Sequence, residues 1–137
     1  MYDKPLPVID RSNQFYWAGC RAGRLLLPRC EDCGRTWFPP SGNCPGCLSR
    51  RIVWIPASGR GRIWSWNVFH RAYFPGFAAE LPYLTALIEL AEGPLMASTI
   101  VGAAPEDLRC DLPVEVVFEQ ITDEVTLPKF RIARDAR

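Results

Sequence analysis

The sequence offers very little of the side-chain chemistry that enzymes use. Only one of its 137 residues is a histidine, His70, and no pattern ties it to the isolated cysteines Cys20 and Cys110. The sequence also lacks a nucleophile elbow, a P-loop, a dinucleotide-binding fingerprint and a paired-carboxylate pattern. These absences exclude the reaction classes that such motifs identify, and we expect no catalytic residue in this chain.

Long apolar runs are absent as well. None reaches the roughly 18 residues that are needed to span a bilayer, and residues 1–5 have neither the charged start nor the apolar stretch of a signal peptide. We therefore expect no membrane span and a cytoplasmic location. In that reducing compartment, closely spaced cysteines bind metal more often than they form disulfides.

Lysine is scarce, and the charges are unevenly spread. Fourteen of the sixteen basic residues are arginine, and the formal net charge is only +1. Residues 1–62 contain ten basic and four acidic residues, whereas residues 63–137 contain six basic and eleven acidic ones. The first half can therefore face a phosphate or an acidic partner, which the negatively charged second half cannot easily do.

Thirteen prolines and ten glycines argue against long helices and favour short strands joined by turns. Capping side chains at residues 10–13 precede an aromatic-rich segment, which predicts a short helix over residues 12–22. We divide the chain into an N-terminal helical segment (residues 1–24), a metal segment (25–51), a β domain (52–133) and a tail (134–137).

The β domain alternates strand-like runs with turn residues. Its predicted barrel strands are residues 62–71, 83–90, 95–101, 114–121 and 125–131, with one helical turn at residues 105–108. This order is typical of the five-stranded OB-fold barrel, so we expect a mainly β protein. In the first of these strands the alternation places Ile63, Ser65 and Asn67 on one face and Trp64, Trp66 and Val68 on the other.

Two Cys-x-x-Cys turns carry the strongest chemical signal. Cys30 and Cys33 form the first turn, Cys44 and Cys47 form the second, and ten residues separate the two turns. Four thiolates make a tetrahedral site with no position left for water or substrate, so the predicted metal has a structural role. Zinc is the expected ion, and iron in a rubredoxin-like site uses the same ligands. A thioredoxin-like redox pair would need a βαβ unit, which this sequence lacks.

Further motifs accompany the cysteines along nearly the whole chain. They are Phe15-Tyr16-Trp17, residues 25–30, Trp54 with Ser58-Gly59-Arg60-Gly61, Pro82-Tyr83, Glu89-Leu90 with Glu92-Gly93, residues 114–119 and residues 127–131. This series resembles the DUF35 family, in which a rubredoxin-like zinc ribbon precedes an OB-fold associated with acyl-CoA metabolism. The sequence departs from the family at Leu48, where glycine is usual, and we expect Gly46 to compensate.

The resemblance implies a non-catalytic accessory subunit that helps to hold or channel an acyl-CoA substrate. Its expected partner is a thiolase-like, lipid-transfer-protein-like aldolase or MaoC-like hydratase subunit. Coenzyme A carries phosphates and an adenine, which favour arginine and aromatic faces. The candidate acyl-CoA-binding residues are Arg50, Arg51, Arg60, Arg62, Trp37 and Phe77. Phe77 lies in the apolar loop 73–79, which is either a lid or docking surface or a cap on the barrel core.

Two other functions remain open from the sequence. Zinc ribbons and OB-folds often bind nucleic acid, although the negative balance of residues 63–137 argues against contact with a phosphate backbone. A free-standing acyl-CoA enzyme would have to use His70 or Cys110.

Overall fold

The computed structural model describes residues 2–134, which contain one α-helix and seven strands. Helix α1 spans Gln14–Arg21. The strands are β1 (Leu26–Cys30), β2 (Ile52–Pro56), β3 (Arg60–Phe69), β4 (Tyr83–Leu90), β5 (Leu95–Ile100), β6 (Pro113–Gln120) and β7 (Thr126–Ile132). Two 3₁₀ helices occupy Pro75–Glu80 and Pro105–Asp107. No helix in the described part of the chain is long and apolar enough to cross a bilayer.

The strands form two separate sheets. Strands β3, β4, β5, β7 and β6 follow one another around a closed barrel, which confirms the expected OB-fold architecture. Strands β1 and β2 form a two-stranded antiparallel sheet that holds the cysteine segment, with Cys30 opposite Ile52. Although β2 lies in the segment assigned to the β domain, its ladder partner is β1. The boundary proposed at residue 52 stays a prediction.

A β-bulge in β3 overturns the face assignment made from simple alternation. The β3–β4 register shifts between Ile63 and Ser65, so that Trp64 is the extra residue. Ile63 is fully buried, and Trp66 and Val68 pack on the same core, whereas Trp64 is 54% exposed. A bulge inserts one residue, so the side chains before it lie on the opposite face of the sheet from the one that simple alternation predicts. The expectation that Ile63 faces away from Trp66 and Val68 is therefore wrong.

Helix α1 begins two residues later than predicted because its capping residues form their own turn. The carboxylate of Asp10 accepts hydrogen bonds from the Ser12 backbone N–H at 2.8 Å and from the Ser12 hydroxyl at 2.6 Å. The Asn13 side chain in turn accepts a bond from the Asp10 N–H at 2.8 Å. Side chains of this kind compete with the helix for backbone groups. They fix the direction in which the N-terminal segment enters α1.

The barrel core continues into the helix and the first ribbon strand. Tyr16 and Cys20 of α1 belong to the same buried cluster as Phe130 and the other interior barrel residues, and so do Leu25, just before β1, and Leu27 within it. The Ala57 N–H donates to the Leu25 carbonyl at 2.7 Å and closes the ribbon against the start of the barrel. Helix, ribbon and barrel therefore share one apolar core, and the short helix is stabilised by packing rather than by its own length.

Replacing Gly61 by alanine is expected to destabilise the barrel. Gly61 is paired with both Leu90 and Val114, and a Cβ at this position would lie 2.6 Å from the Glu89 carbonyl oxygen and 2.7 Å from Ile88 Cγ2. Overpacking of this kind costs about 1–3 kcal/mol, which thermal or urea unfolding will detect. Gly42→Ala is the matched control, because nothing lies within 4 Å of its Cβ position. Equal stability of Gly61→Ala and wild type would contradict this strand packing.

Candidate metal centre and adjoining groove

The fold brings the four predicted metal ligands together. The Sγ atoms of Cys30, Cys33, Cys44 and Cys47 all lie within 4.8 Å of one another, and Cys30–Cys47 and Cys33–Cys44 are each 3.5 Å apart. A tetrahedron with Zn–S bonds near 2.3 Å has sulfur–sulfur edges of about 3.8 Å. All six cysteines of the chain are free thiols. The residues therefore fit a tetrahedral zinc ion, and they fit it without a disulfide.

The two cysteine turns repeat the same hydrogen bonds fourteen residues apart. In the first, the Cys30 N–H donates to Arg35 O and the Gly34 N–H donates to Cys30 O, at 2.8 and 2.9 Å. In the second, the Cys44 N–H donates to Ser49 O and the Leu48 N–H donates to Cys44 O, at 2.9 and 2.8 Å. The backbone hydrogen bonds of each turn, rather than the metal alone, therefore direct each cysteine pair toward the shared metal site.

Backbone N–H groups inside these turns favour the thiolate form. The N–H of Cys47 and that of Gly46 donate to Cys44 Sγ at 3.5 and 3.3 Å and lower the pKa of the Cys44 thiol to about 6. The Cys33 N–H donates to Cys30 Sγ at 3.4 Å and likewise lowers the pKa of Cys30. Because metals bind the thiolate, these donors prepare one ligand in each turn for an ion.

Leu48 occupies the position that Gly34 fills in the first turn. Gly34 has a φ of 79°, and Leu48 has a φ of 65° in the same left-handed region. The expectation that Gly46 compensates is wrong, because the left-handed residue is Leu48 itself. Gly46 has a different role. A Cβ on Gly46 would lie 3.0 Å from Arg35 Nη1, so the missing side chain leaves room for that guanidinium group.

A small second core supports the metal centre. Cys30, Trp37 and Cys44 are buried together, with Ile52 packed against them. The Trp37 indole N–H donates to Ser41 Oγ at 3.0 Å, and Ser41 donates to the Asn43 carbonyl at 3.0 Å. The loop between the two turns therefore folds around the indole ring.

A groove lies where the helix, the ribbon and the barrel meet. It has a volume of about 360 Å³, and its walls come from four segments of the chain: Asn13, Tyr16 and Trp17; Phe38, Pro39 and Pro40; residues 96–99; and residues 127–129. Strands β5 and β7 pair only at Ile100 and Phe130, so they diverge along the floor of the groove. Ser98 Oγ donates to the Pro128 carbonyl across this gap at 2.9 Å. A mostly apolar recess with few polar groups is typical of a small-molecule site.

The predicted acyl-CoA-binding residues of the ribbon differ in exposure. Trp37 is only 6% exposed and packs on the metal ligands. Arg51 bonds to Asp32 Oδ1 at 2.7 Å and lies 3.6 Å from Glu31 Oε2. Arg50 is exposed. Of these three side chains, Arg50 alone lies on the surface with no described ion pair.

The remaining three candidates lie at opposite ends of the β3–β4 ladder. Arg62 contacts Glu89 at 2.5 Å and Asp111 at 3.4 Å, and Arg60 lies 4.0 Å from Glu115. Phe77 stacks on Tyr83, with 5.0 Å between the ring centroids, and Lys4 lies 5.0 Å from its centroid. Tyr83 pairs with Phe69, about 23 Å along β3 from Arg62. The structure does not bring the six candidates together, and their binding to acyl-CoA stays a prediction.

The groove residues were missed at the sequence level. They come from segments as far apart as Asn13 and Lys129, and no spacing in the sequence connects them. The nearest signal was the aromatic run that includes Tyr16 and Trp17, together with the Pro39-Pro40 pair.

Two family models match consecutive parts of this chain. Residues 17–53 match the domain described as "ChsH2, rubredoxin-like zinc ribbon domain", and residues 54–119 match "ChsH2, C-terminal OB-fold domain". The fold and the four-cysteine centre thus define a zinc-ribbon protein with an OB-fold barrel.

Several proteins are similar to this chain in sequence. The "Probable enoyl-CoA hydratase alpha subunit" of Thermomonospora curvata is 36% identical over 95% of this chain and 40% of its own length. A "DUF35 domain-containing scaffold protein" of Methanocaldococcus jannaschii is 36% identical over 73% of this chain and 71% of its own. The "Benzoylsuccinyl-CoA thiolase subunit BbsA" of Thauera aromatica is 31% identical over 75% and 69%. The chain therefore spans less than half of the hydratase subunit's length.

A solved structure is similar over almost the whole molecule. A chain of the structure named "Ltp2-ChsH2(DUF35) aldolase" superposes with a TM-score of 0.83 at 35% identity, covering 93% of this chain and 98% of the other. The present chain belongs to the DUF35 family.

Replacing Cys33 by serine is expected to remove the metal and unfold the ribbon. Structural zinc contributes on the order of 10 kcal/mol to the folding of such small modules, and three thiolates cannot close the site. Metal content by mass spectrometry and thermal unfolding will report both losses. Cys110→Ser is the control, because Cys110 is exposed and lies in the barrel domain. Retention of one metal ion per chain by Cys33→Ser, with unchanged stability, would contradict the site.

Proposed function

We propose that this chain is a non-catalytic accessory subunit of an enzyme of acyl-CoA metabolism. Its partner is a thiolase-superfamily, aldolase or hydratase subunit, and the chain helps to hold or channel that enzyme's acyl-CoA substrate. The similarity to a DUF35 chain in a structure named as an aldolase, over 93% of the present chain, carries the proposal. Relatives named as subunits of a hydratase and of a thiolase support the same class of partner.

The metal centre supports a role without catalysis. Its four sulfur atoms lie close enough to fill a tetrahedral coordination shell, so a bound zinc ion would organise the ribbon and leave no position for water or substrate. His70 and Cys110 are both exposed. Cys110 Sγ has a described polar contact only with the Trp64 carbonyl, at 3.8 Å. Neither residue is arranged with a second catalytic group in the described part of the chain.

The groove supports the substrate-holding part of the proposal. Its walls are mostly aromatic, proline and aliphatic side chains, which suit the acyl group or the pantetheine arm rather than a phosphate. The ammonium group of Lys129 lies 2.5 Å from Glu119 Oε2, so this charge is already paired. The nucleotide of a bound coenzyme A would therefore lie outside the groove or on the partner.

Co-expression with a thiolase-, aldolase- or hydratase-like subunit from the same organism tests the accessory role. We expect one stable complex by size-exclusion chromatography with light scattering. The complex should be more active than the enzyme subunit alone, and the isolated chain should not turn over acyl-CoA. Complexes with His70→Ala or Cys110→Ser should keep full activity. Turnover of acyl-CoA by the isolated chain, abolished by either change, would instead identify a free-standing enzyme.

Filling the groove tests whether it holds the substrate. Ala97 is exposed and lines the groove, so Ala97→Trp should block the recess without disturbing the core. We expect saturable binding of an acyl-CoA by wild type, measured by calorimetry, and at least about tenfold weaker binding by Ala97→Trp.

The matched control is Ala91→Trp, which places the same ring on the exposed turn between β4 and β5. Equal binding by both variants would remove the groove from the proposal. Salt-sensitive, saturable binding of single-stranded DNA without any binding of acyl-CoA would favour the nucleic-acid alternative.

A further inference from the structure

We propose that the second cysteine turn and its surroundings form the contact with the partner enzyme. This ribbon tip consists of Leu48 with Arg35 and Arg50, and it fits an acidic protein surface that contains a small apolar recess. The inference rests on the proposed function, since it names the surface through which the accessory subunit binds. Two independent observations carry it: a strained, exposed leucine and two neighbouring arginines that have no described carboxylate partner.

Leu48 is apolar, exposed and in an unfavourable backbone conformation. It is 72% exposed, second only to Val8 among the large hydrophobic residues of the described part of the chain, and its φ is 65°. A bulky residue with positive φ is an outlier, and such strain clusters at functional sites. Gly34 fills the equivalent position of the first turn without strain. Local folding therefore favours glycine at residue 48, so the leucine side chain needs another explanation.

The arginines next to Leu48 have no carboxylate partner within residues 2–134. Arg50 is exposed and lies two residues after Leu48 in the sequence. Arg35 belongs to the first cysteine turn, and its guanidinium group extends to Gly46 of the second turn. By contrast, three barrel cations are engaged with carboxylates: Arg62 with Glu89, Lys129 with Glu119, and Arg131 with Glu115. Arg51 of the ribbon is likewise held by Asp32. Arg35 and Arg50 therefore place positive charge beside Leu48 that no described carboxylate neutralises, and this charge complements an acidic surface.

The combination of groups favours a protein over a nucleic acid. Protein interfaces are built from an apolar anchor that enters a pocket, with arginine enriched around it. Single-stranded nucleic acid is held by basic grooves and by aromatic rings that stack on bases. At the ribbon tip the exposed apolar side chain is a leucine, and the neighbouring ring of Trp37 is only 6% exposed.

Leu48→Gly separates binding from folding. Glycine adopts positive φ without a steric penalty, so the variant should keep its zinc and its melting temperature should not fall. Its affinity for the co-purified enzyme subunit should drop about tenfold, chiefly through faster dissociation, when measured by surface plasmon resonance. Asp111→Gly is the matched control, because Asp111 is also exposed with a φ of 67° but lies in the barrel domain. It should bind like wild type.

Arg50→Gln tests the charge complementarity. The wild-type complex should weaken as sodium chloride is raised, and the variant should associate more slowly and depend less on salt. Arg71→Gln is the control, since Arg71 lies beyond β3 with its guanidinium carbon 5.5 Å from the centroid of the Tyr73 ring. It should retain the wild-type salt dependence. Zinc content measured for each variant verifies that the metal centre is intact.

The two proposals fail in different ways. If wild type binds the enzyme subunit and both Leu48→Gly and Arg50→Gln bind equally well, the ribbon tip is not the contact, whereas the accessory role stands. If wild type itself binds no thiolase-, aldolase- or hydratase-like subunit, both proposals fall. Saturable binding of a labelled single-stranded oligonucleotide that is lost in Arg50→Gln but kept in Leu48→Gly would also overturn the protein contact.

Discussion

The packing of four thiols around one point is the constraint on which the rest of the molecule depends. The ribbon's own buried cluster consists of Cys30, Trp37 and Cys44, which is too little apolar surface to hold such a segment folded without an ion. The effect of that ion reaches beyond the ribbon. Trp37 packs on the cysteines, while the adjacent Phe38 lies against Tyr16 of the helix, with 5.6 Å between ring centroids. Trp37 and Phe38 therefore connect the metal centre by direct packing to the helix and to one wall of the groove.

Much of the fold could be predicted because it follows from short patterns in the sequence. The cysteine spacing predicted the four thiols that the fold brings together. Turn residues separated five barrel strands whose observed ends differ from the predicted ones by no more than two residues. The predictions were wrong where one local sequence pattern is compatible with two backbone conformations. Alternation in β3 did not reveal the bulge at Trp64, because an inserted residue leaves no mark in the sequence and is fixed by pairing with β4. Glycine preference pointed to Gly46, although the hydrogen bonds of the turn impose the left-handed conformation on Leu48.

The candidate binding residues show a different limit. A sequence gives the number of arginines, but whether each is available depends on carboxylates that are distant along the chain. Arg51 is paired with Asp32, nineteen residues away, and Arg62 with Glu89, twenty-seven residues away. Likewise, the groove is assembled from four segments, and its shape follows from the divergence of β5 and β7 rather than from any motif. Composition therefore shows that residues 1–62 are basic, but it cannot show which of their charges remain available.

The uneven charge of the two halves of the chain has a consequence for how the molecule approaches a partner. Residues 1–62 and 63–137 carry opposite net charges, so the chain as a whole has a permanent electric dipole moment. In the field of another charged macromolecule such a body experiences a torque and rotates as it diffuses. Encounters are then biased toward one orientation, which raises the fraction of collisions that succeed without adding any contact to the final assembly.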